Sequence, residues 1–308
     1  MKKIAIVGAG RVGESAAHNL AKAELCREIV LIDIKEGVPQ GTALDIQESA
    51  PIFDFDTQLR GSNDLKAMAG SELVIVTAGI PRKPGMSRSD VLETNLAVVN
   101  GVVDEMLRGA PEAMLLMVTN PVDVLTYAAW KRSGWPRHRV FGMAGVLDSA
   151  RMASFVAMET GFSVKDITAM VLGGHGDTMV PMTRFTCING IPIEHFLSGE
   201  KIEQIVQRTR EGGAEILSLR RTASAYDAPA AAIASMVDAI SHNRRQILPG
   251  VALLAGEYGL TDIAMGVPIV LGEGGMERVI ELPLTAQEAA EFQRSAGMVR
   301  ADLEKLKK

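Results

Sequence analysis

The stretch Lys3-Ile-Ala-Ile-Val-Gly-Ala-Gly-Arg-Val-Gly13 decides the fold. Its apolar run is typical of a buried strand, and residues 11–23 continue with the spacing of a helix. Gly8, Gly10 and Gly13 therefore lie in a strand-to-helix turn, which is the context that the G-x-G-x-x-G dinucleotide-binding fingerprint requires. Because the N-terminus of a helix attracts anions, this turn predicts a site for a pyrophosphate.

A carboxylate follows at the position where a ribose-binding acid is expected. Residues 28–33 form a second predicted strand, and this strand ends at Asp33, 20 positions after Gly13. A carboxylate there accepts hydrogen bonds from a ribose 2′-hydroxyl and repels a 2′-phosphate, so the predicted cofactor is NAD rather than NADP. A chance match of the glycines is the alternative, which the strand, the helix and Asp33 together disfavour. The residues expected to bind the cofactor are Gly8, Ala9, Gly10, Arg11, Val12, Gly13, Asp33, Asn95, Val118, Thr119 and Asn120.

The strand and helix signals continue to alternate through the first half of the chain. Further strands are predicted at residues 72–77, 113–118 and 139–142, with plausible helices between them. This α/β alternation predicts a Rossmann-type, doubly wound parallel sheet. With 308 residues the chain is long enough for two lobes, which we place at residues 1–143 for dinucleotide binding and 144–308 for an α+β substrate-binding and catalytic domain.

The second half is predicted to mix strands and helices. Residues 167–172 form a strand-like apolar run, and a hairpin is expected to turn at Asn189-Gly190. Helices are predicted at residues 200–219 and 227–242. The remaining signals are strands at 247–255, 267–272 and 279–282 and a final charged helix.

A basic loop interrupts the first half at the edge where such sheets bind ligands. Residues 78–88 read Ala-Gly-Ile-Pro-Arg-Lys-Pro-Gly-Met-Ser-Arg, and the prolines and glycines keep them out of regular structure. A merely solvated loop is the alternative, but its position favours a lid that binds an anion through Arg82 and Arg88. The run Val-Thr-Asn-Pro at residues 118–121 ends another strand at the same edge, so Asn120 is expected to face the ligand.

The run Gly-Gly-His-Gly-Asp at residues 173–177 surrounds His175 with glycines. Taken alone, it fits a surface histidine in a turn as well as it fits a catalytic group. The helix predicted at residues 146–157 carries only two charged side chains, Asp148 and Arg151, which share one face. A surface ion pair is the alternative, but the apolar surroundings predict burial. A buried carboxylate that orients an imidazole is an acid/base arrangement, and an adjacent arginine is suited to gripping a carboxylate.

The remaining candidates have less support. The other histidines lack the setting of His175 and are interpreted as structural; they are His18, His138, His195 and His242. Ser224, between two predicted helices, is a further candidate to line the site.

With these residues assembled, the chain closely resembles the lactate/malate dehydrogenase superfamily over nearly its full length, and within it the lactate-dehydrogenase-like malate dehydrogenases of bacteria. The motifs that carry the resemblance are residues 8–13, 79–88, 118–121, 145–151 and 173–177. The resemblance implies that His175 accepts a proton, that Asp148 pairs with it and that Arg151 binds the carboxylate shared by all substrates. It also implies that Arg88 closes over the substrate and polarises its C2 oxygen, and that the protein is a homodimer or homotetramer.

Position 82 distinguishes the branches of this superfamily. Lactate dehydrogenases resemble the loop but generally have glutamine where this chain has Arg82, which points to a dicarboxylate. The charges agree, because malate brings two carboxylates that Arg82 and Arg151 can each neutralise, and an unpaired buried cation costs about 3–5 kcal/mol. The predicted activity is NAD-dependent oxidation of (S)-malate to oxaloacetate. The alternatives are a dehydrogenase for lactate or another 2-hydroxy acid and a non-catalytic NAD-binding protein.

Composition excludes several other classes of protein. The net charge is −5 and no acidic or basic block occurs, so neither nucleic acid nor a membrane surface is expected as a partner. No apolar stretch is long enough to span a bilayer, and no targeting segment is recognised. Cys26 and Cys187 fall in no metal or redox spacing, which fits a protein of the reducing cytoplasm without a metal site.

Overall fold

The computed structural model describes residues 1–80, 88–221 and 223–307, with the side chains of 88–90 and 307 outside the description. The helices are α1 (Arg11–Lys22), α2 (Val38–Glu48), α3 (Ala50–Phe53), α4 (Arg88–Gly109), α5 (Val122–Ser133), α6 (Gly145–Thr160), α7 (Gly199–Arg220), α8 (Asp227–Ser241) and α9 (Ala286–Glu304). The strands are β1 (Lys3–Val7), β2 (Glu28–Ile32), β3 (Gln58–Ser62), β4 (Leu73–Val76), β5 (Met114–Met117), β6 (Val140–Gly142), β7 (Ile167–Thr168), β8 (Val171–Leu172), β9 (Val180–Pro181), β10 (Cys187–Ile188), β11 (Ile191–Pro192), β12 (Gln246–Ala255), β13 (Thr261–Gly272) and β14 (Gly275–Val279).

The first six strands form a parallel sheet in the order β3-β2-β1-β4-β5-β6. The predicted Rossmann-type, doubly wound arrangement is confirmed. The central strands are buried along almost their whole length, which explains why they are continuous apolar runs rather than alternating ones. The strand order reverses between β1 and β4, and ligands bind at such a point, beyond the carboxyl ends of the strands.

Strand β3 was not predicted from the sequence. Among the described residues it lies at the edge of the sheet and pairs with β2 alone, from Glu28↔Gln58 to Ile32↔Ser62. Its side chains are exposed or half-buried. An edge strand has no neighbour on one side and is poorly covered, so it need not carry the apolar run that identified the central strands.

The second half of the chain extends the same sheet with antiparallel strands. β12 pairs with β6 through Val251↔Gly142, and β13 and β14 follow, which gives nine strands among the described residues. The strand predicted at residues 279–282 lies instead at Gly275–Val279. The cause is a tight turn after β13, where Gly275 has a φ of +91° and pairs with Gly272.

Residues 167–172 do not form one strand, so this prediction was wrong. β7 joins β10 and β11 in a three-stranded sheet, whereas β8 pairs with β9. The chain is diverted at Val171, whose N–H donates to Ser149 Oγ on α6 at 2.9 Å. The predicted hairpin is confirmed, because β10 and β11 turn at Asn189 and Gly190, both with positive φ.

Within the described ranges, no helix is long and apolar enough to cross a membrane.

Candidate active site

The glycine turn after β1 forms an open cradle at the N-terminus of α1. Gly8 has a φ of +110°, and a Cβ at Gly13 would lie 1.8 Å from the Gly8 carbonyl oxygen, so the helix packs directly on the turn. A Cβ at Gly10, in contrast, would have no atom of the described residues within 4 Å. Backbone N–H groups in the first turn of a helix have no partner within the helix. The residues present therefore fit the pyrophosphate of NAD at Gly10.

Asp33 connects this turn to the end of β2. Its Oδ2 accepts a hydrogen bond from the Ala9 N–H at 2.9 Å, and its Oδ1 accepts one from the Lys35 N–H at 3.0 Å. The carboxylate is thereby held beside the glycine turn, where the ribose of a dinucleotide on that turn would lie. Its place fits the predicted preference for NAD.

The ends of β4 and β5 are braced against each other. The Thr119 hydroxyl donates to the carbonyl of Ala78 at 2.7 Å. The buried Asn95 amide, from α4, donates to the carbonyl of Asn120 at 2.8 Å and accepts from the Ile80 N–H at 2.8 Å. These contacts hold the main chain around Asn120, which is exposed at this edge. Direct contacts of the cofactor with Asn95, Thr119 and the half-buried Val118 stay predictions.

Two predicted substrate-binding arginines lie beyond what the structure describes. Arg82 falls within residues 81–87, which are outside the described residues, and Arg88 begins α4 with its side chain outside the description. Ser224 is exposed between α7 and α8, and its place in the site stays a prediction.

The main chain around His175 is hydrogen-bonded to strand β13 on one side and to helix α5 on the other. Its loop begins at Gly173, which exchanges two backbone hydrogen bonds with Gly266 of β13, at 2.8 and 3.2 Å. A side chain at Gly266 would collide with the Gly173 carbonyl. The His175 N–H then donates to Asp123 Oδ2 on α5 at 2.8 Å. The glycines thus serve the close approach of two backbones as well as access to the histidine.

The structure brings together the three side chains that the sequence analysis grouped. His175 Nδ1 lies 2.8 Å from Asp148 Oδ2, and Arg151 Nη1 donates to Asp148 Oδ1 at 2.9 Å. Asp148 is 1% exposed, so the carboxylate is shared by its two partners out of reach of water. Because Nδ1 is engaged with Asp148, Nε2 is the ring nitrogen that can exchange a proton with a substrate.

The electrostatic surroundings of His175 favour its protonated form. Burial by itself would lower the pKa of His175, but the charge and hydrogen bond of Asp148 and the charge of Asp123 raise the pKa above its usual value. The imidazole is thus a stronger base than one in water. A histidine with a raised pKa also stabilises the fold below its unfolded pKa, and this stabilisation is lost as the pH rises through the folded pKa.

Asp148 engages only part of the Arg151 guanidinium. Its Nη1 is engaged with Asp148, and its buried Nε has no hydrogen-bond partner in the part of the chain that the structure describes. The side chain lies along α7 at Gly212, where a Cβ would be 3.1 Å from Arg151 Cδ. A guanidinium can bind the two oxygens of a carboxylate, and the contact of Arg151 with the substrate stays a prediction.

Sequence reasoning missed Asp123 and Gly212. Asp123 is the sole charge in the run Val-Asp-Val-Leu-Thr-Tyr-Ala-Ala at residues 122–129, which is the same kind of signal that singled out Asp148. An acid in the first turn of a helix is common, because it interacts favourably with the helix dipole. Its presence there does not by itself indicate a functional site. The contact between Gly212 and Arg151 joins residues 61 positions apart and has no local signal.

A histidine paired with a buried carboxylate, at the same sheet edge as a glycine turn that fits a dinucleotide, is typical of the NAD-dependent dehydrogenases that act on a hydroxyl group. Residues 2–142 match the family model described as lactate/malate dehydrogenase, NAD binding domain, and residues 145–308 match lactate/malate dehydrogenase, alpha/beta C-terminal domain. The chain belongs to the lactate/malate dehydrogenase family.

Individual relatives are similar over their whole length. A malate dehydrogenase of Thioalkalivibrio sulfidiphilus is 66% identical over 307 residues, which are 100% of both chains. The solved malate dehydrogenase of Salinibacter ruber is 46% identical with a TM-score of 0.95, covering 99% of this chain and 97% of that one. A lactate dehydrogenase of Cryptosporidium parvum, solved with lactic acid and NAD, is 37% identical with a TM-score of 0.94, covering 98% and 97%. Similarity of fold therefore does not separate the two substrates.

Two glycine substitutions test the cradle separately from the fold. Gly13→Ala is expected to destabilise the protein by about 1–3 kcal/mol, because the new Cβ would overlap the Gly8 carbonyl and push α1 off the turn. Gly10→Ala, at an ordinary φ of −81° and with no neighbour in the described part of the chain, is expected to leave stability within about 0.5 kcal/mol. It should weaken NADH binding by about tenfold, or roughly 1.4 kcal/mol.

Urea denaturation and fluorescence titration with NADH measure the two effects. Wild-type NADH affinity in a folded Gly10→Ala variant would contradict the placement of the pyrophosphate.

Proposed function

We propose that the chain is an NAD-dependent malate dehydrogenase, which interconverts (S)-malate and oxaloacetate. The proposal rests on one observation. Buried Asp148 accepts a hydrogen bond from Arg151 and is hydrogen-bonded to His175, at the edge of the sheet where the cofactor is expected to bind. A malate dehydrogenase that is 66% identical over the full length of both chains supports the choice of substrate. We also propose residues 1–143 as the dinucleotide-binding part and 144–308 as the substrate-binding part.

His175 takes the proton of the C2 hydroxyl when malate is oxidised and returns it when oxaloacetate is reduced. Asp148 holds the ring through Nδ1, so that the neutral form keeps its lone pair on Nε2. The same carboxylate stabilises the imidazolium that forms. NAD, when bound, supplies the acceptor or the donor of the hydride exchanged at C2.

The arginines bind and orient the dicarboxylate. Arg151 binds the C1 carboxylate with guanidinium N–H groups that Asp148 does not use. Arg82 neutralises the second carboxylate, and Arg88 stabilises the C2 oxygen, whose charge changes in the transition state. Asn120, exposed at the end of β5, donates to the substrate from the cofactor side.

The test is the ratio of kcat/KM for oxaloacetate to kcat/KM for pyruvate, measured as NADH oxidation with the wild-type protein. We expect a ratio of several hundred or more, because pyruvate brings no second carboxylate for Arg82, and an unpaired cation in a closed substrate complex costs about 3–5 kcal/mol. A preference for pyruvate would overturn the substrate and leave a dehydrogenase for a monocarboxylate. Binding of NADH without turnover of any 2-oxo acid would instead indicate a non-catalytic NAD-binding protein.

We further propose that the enzyme works in the cytoplasm as a homodimer or homotetramer. Exposed apolar side chains on α2 and α3 support association, with Leu44 59%, Ile52 82% and Phe53 41% exposed. Cys26 and Cys187 are both free thiols, as expected in a reducing compartment. The mass of the particle in solution, by light scattering, distinguishes the two assemblies.

A further inference from the structure

Asp123 is a second buried carboxylate beside His175. It lies in the first turn of α5, three residues after Asn120, and is 5% exposed. Its Oδ2 accepts the His175 N–H at 2.8 Å. Its Oδ1 is buried and has no hydrogen-bond partner among the described residues. A carboxylate that uses only part of its hydrogen-bonding capacity away from water is costly, so its presence calls for a reason.

The charges that face Asp123 identify the reason. His175 lies in the loop after β8, and α6 contributes Asp148 with its partner Arg151. From α9 comes an uncharged group, Ser295, whose Oγ accepts the N–H of Gly174, the residue before His175. No salt bridge to Asp123 is found in the described ranges, so the imidazolium is the cation best placed to compensate its charge.

The pKa values of the two residues are consistent with mutual coupling. Burial raises the pKa of Asp123 to about 6, against the hydrogen bond from the His175 main chain and the attraction of the imidazolium, which lower it. The hydrogen bond that Oδ2 accepts from the His175 N–H favours the ionised form of Asp123. Its charge also contributes to the raised pKa of His175, after the larger contribution of Asp148. With neutral His175, the two carboxylates and Arg151 carry a net charge of −1, which protonation of the imidazole cancels.

We propose that Asp123 is a positioning residue for proton transfer, which fixes the main chain of His175 and supplies the second negative charge that stabilises its imidazolium. This inference rests on the proposed function, because Asp123 is proposed to act on His175, the proton acceptor of that reaction. The proton moves from the C2 hydroxyl to Nε2 of His175, and Asp123 exchanges no proton in the step. It acts from the main-chain side of the histidine, whereas Asp148 acts through Nδ1.

The variant that separates charge from position is Asp123→Asn. The amide oxygen of asparagine can still accept the His175 N–H, while the negative charge is lost. The matched control is Ser295→Ala, which removes an uncharged hydrogen bond to the adjacent Gly174 N–H and so loosens the same loop without changing its charge.

Two readouts are compared across these proteins. The first is the pKa of His175 by NMR in protein with labelled histidine, assigned by the signal missing from His175→Asn, and it needs no substrate. In Asp123→Asn we expect this pKa to fall by about half a unit or more, a threefold change in the protonation equilibrium. In Ser295→Ala we expect no shift.

The second readout is the pH profile of kcat/KM. The low-pH limb for malate oxidation and the high-pH limb for oxaloacetate reduction should both move to lower pH in Asp123→Asn, by the shift that NMR records. The plateau for malate oxidation should fall, since the imidazole is a weaker base. KM for NADH should stay at its wild-type value.

An unchanged pKa of His175 in folded Asp123→Asn overturns the proposal, whatever happens to turnover. If the variant does not fold, the carboxyl signal of Asp123 is titrated in the wild type and in His175→Asn instead. Loss of the imidazolium should raise the pKa of Asp123, and an unchanged value overturns the proposal equally. Failure of the wild type to turn over malate would remove the proposed function, while the NMR titration would still decide whether Asp123 and His175 are coupled.

Discussion

Replacing His175 with asparagine is expected to lower kcat for malate oxidation by about 10²–10⁴-fold, the usual contribution of a general base. Asparagine has no lone pair of suitable basicity, so the C2 hydroxyl proton must leave to water instead. NADH affinity should be nearly unchanged, because the glycine turn at Gly8 and Gly10 belongs to a different part of the sheet edge. The measurements are steady-state kinetics in both directions and a fluorescence titration with NADH.

The matched control is His195→Asn, the same chemical change at an exposed histidine outside the site. It should leave kcat at the wild-type value. If His175→Asn turned over malate as fast as this control, His175 would not be the proton acceptor, and the row formed with Asp148 and Arg151 would be a structural ion-pair network.

Replacing Arg82 with glutamine is expected to reverse the choice of substrate. The kcat/KM for oxaloacetate should fall by several hundredfold, because the second carboxylate loses its cation at a cost of about 3–5 kcal/mol. The kcat/KM for pyruvate should rise, since no unpaired cation then faces its methyl group. The measurement is the ratio of the two constants in the variant and in the wild type.

Lys83→Gln removes one positive charge from the neighbouring position of the same loop, and it should keep the wild-type ratio. An equal loss of preference in both variants would mean that the loop attracts dicarboxylates only through its overall charge. An unchanged ratio in Arg82→Gln would remove Arg82 from the substrate pocket altogether.

The sequence predicted the parallel half of the fold well because its strands are buried on both faces. Such strands are continuous apolar runs, and each is followed by a helix of recognisable period. The signal failed where burial was incomplete or pairing was interrupted. Edge strand β3 has polar residues, and the run at residues 167–172 was divided by a hydrogen bond to Ser149 of α6 that no local pattern records.

By itself, the sequence determined the class of sheet, the glycine turn with Asp33, and the pairing of Asp148 with Arg151. Each of these depends on residues that are close together in the chain, or on the ends of strands that meet at one edge of the sheet. Only the tertiary structure showed which residue binds the main chain of His175. Asp123 is 52 positions away along the chain and reaches the histidine because α5 packs against the loop after β8. Sequence spacing carries no information about such a contact, since burial is a property of the packed elements and not of the local pattern.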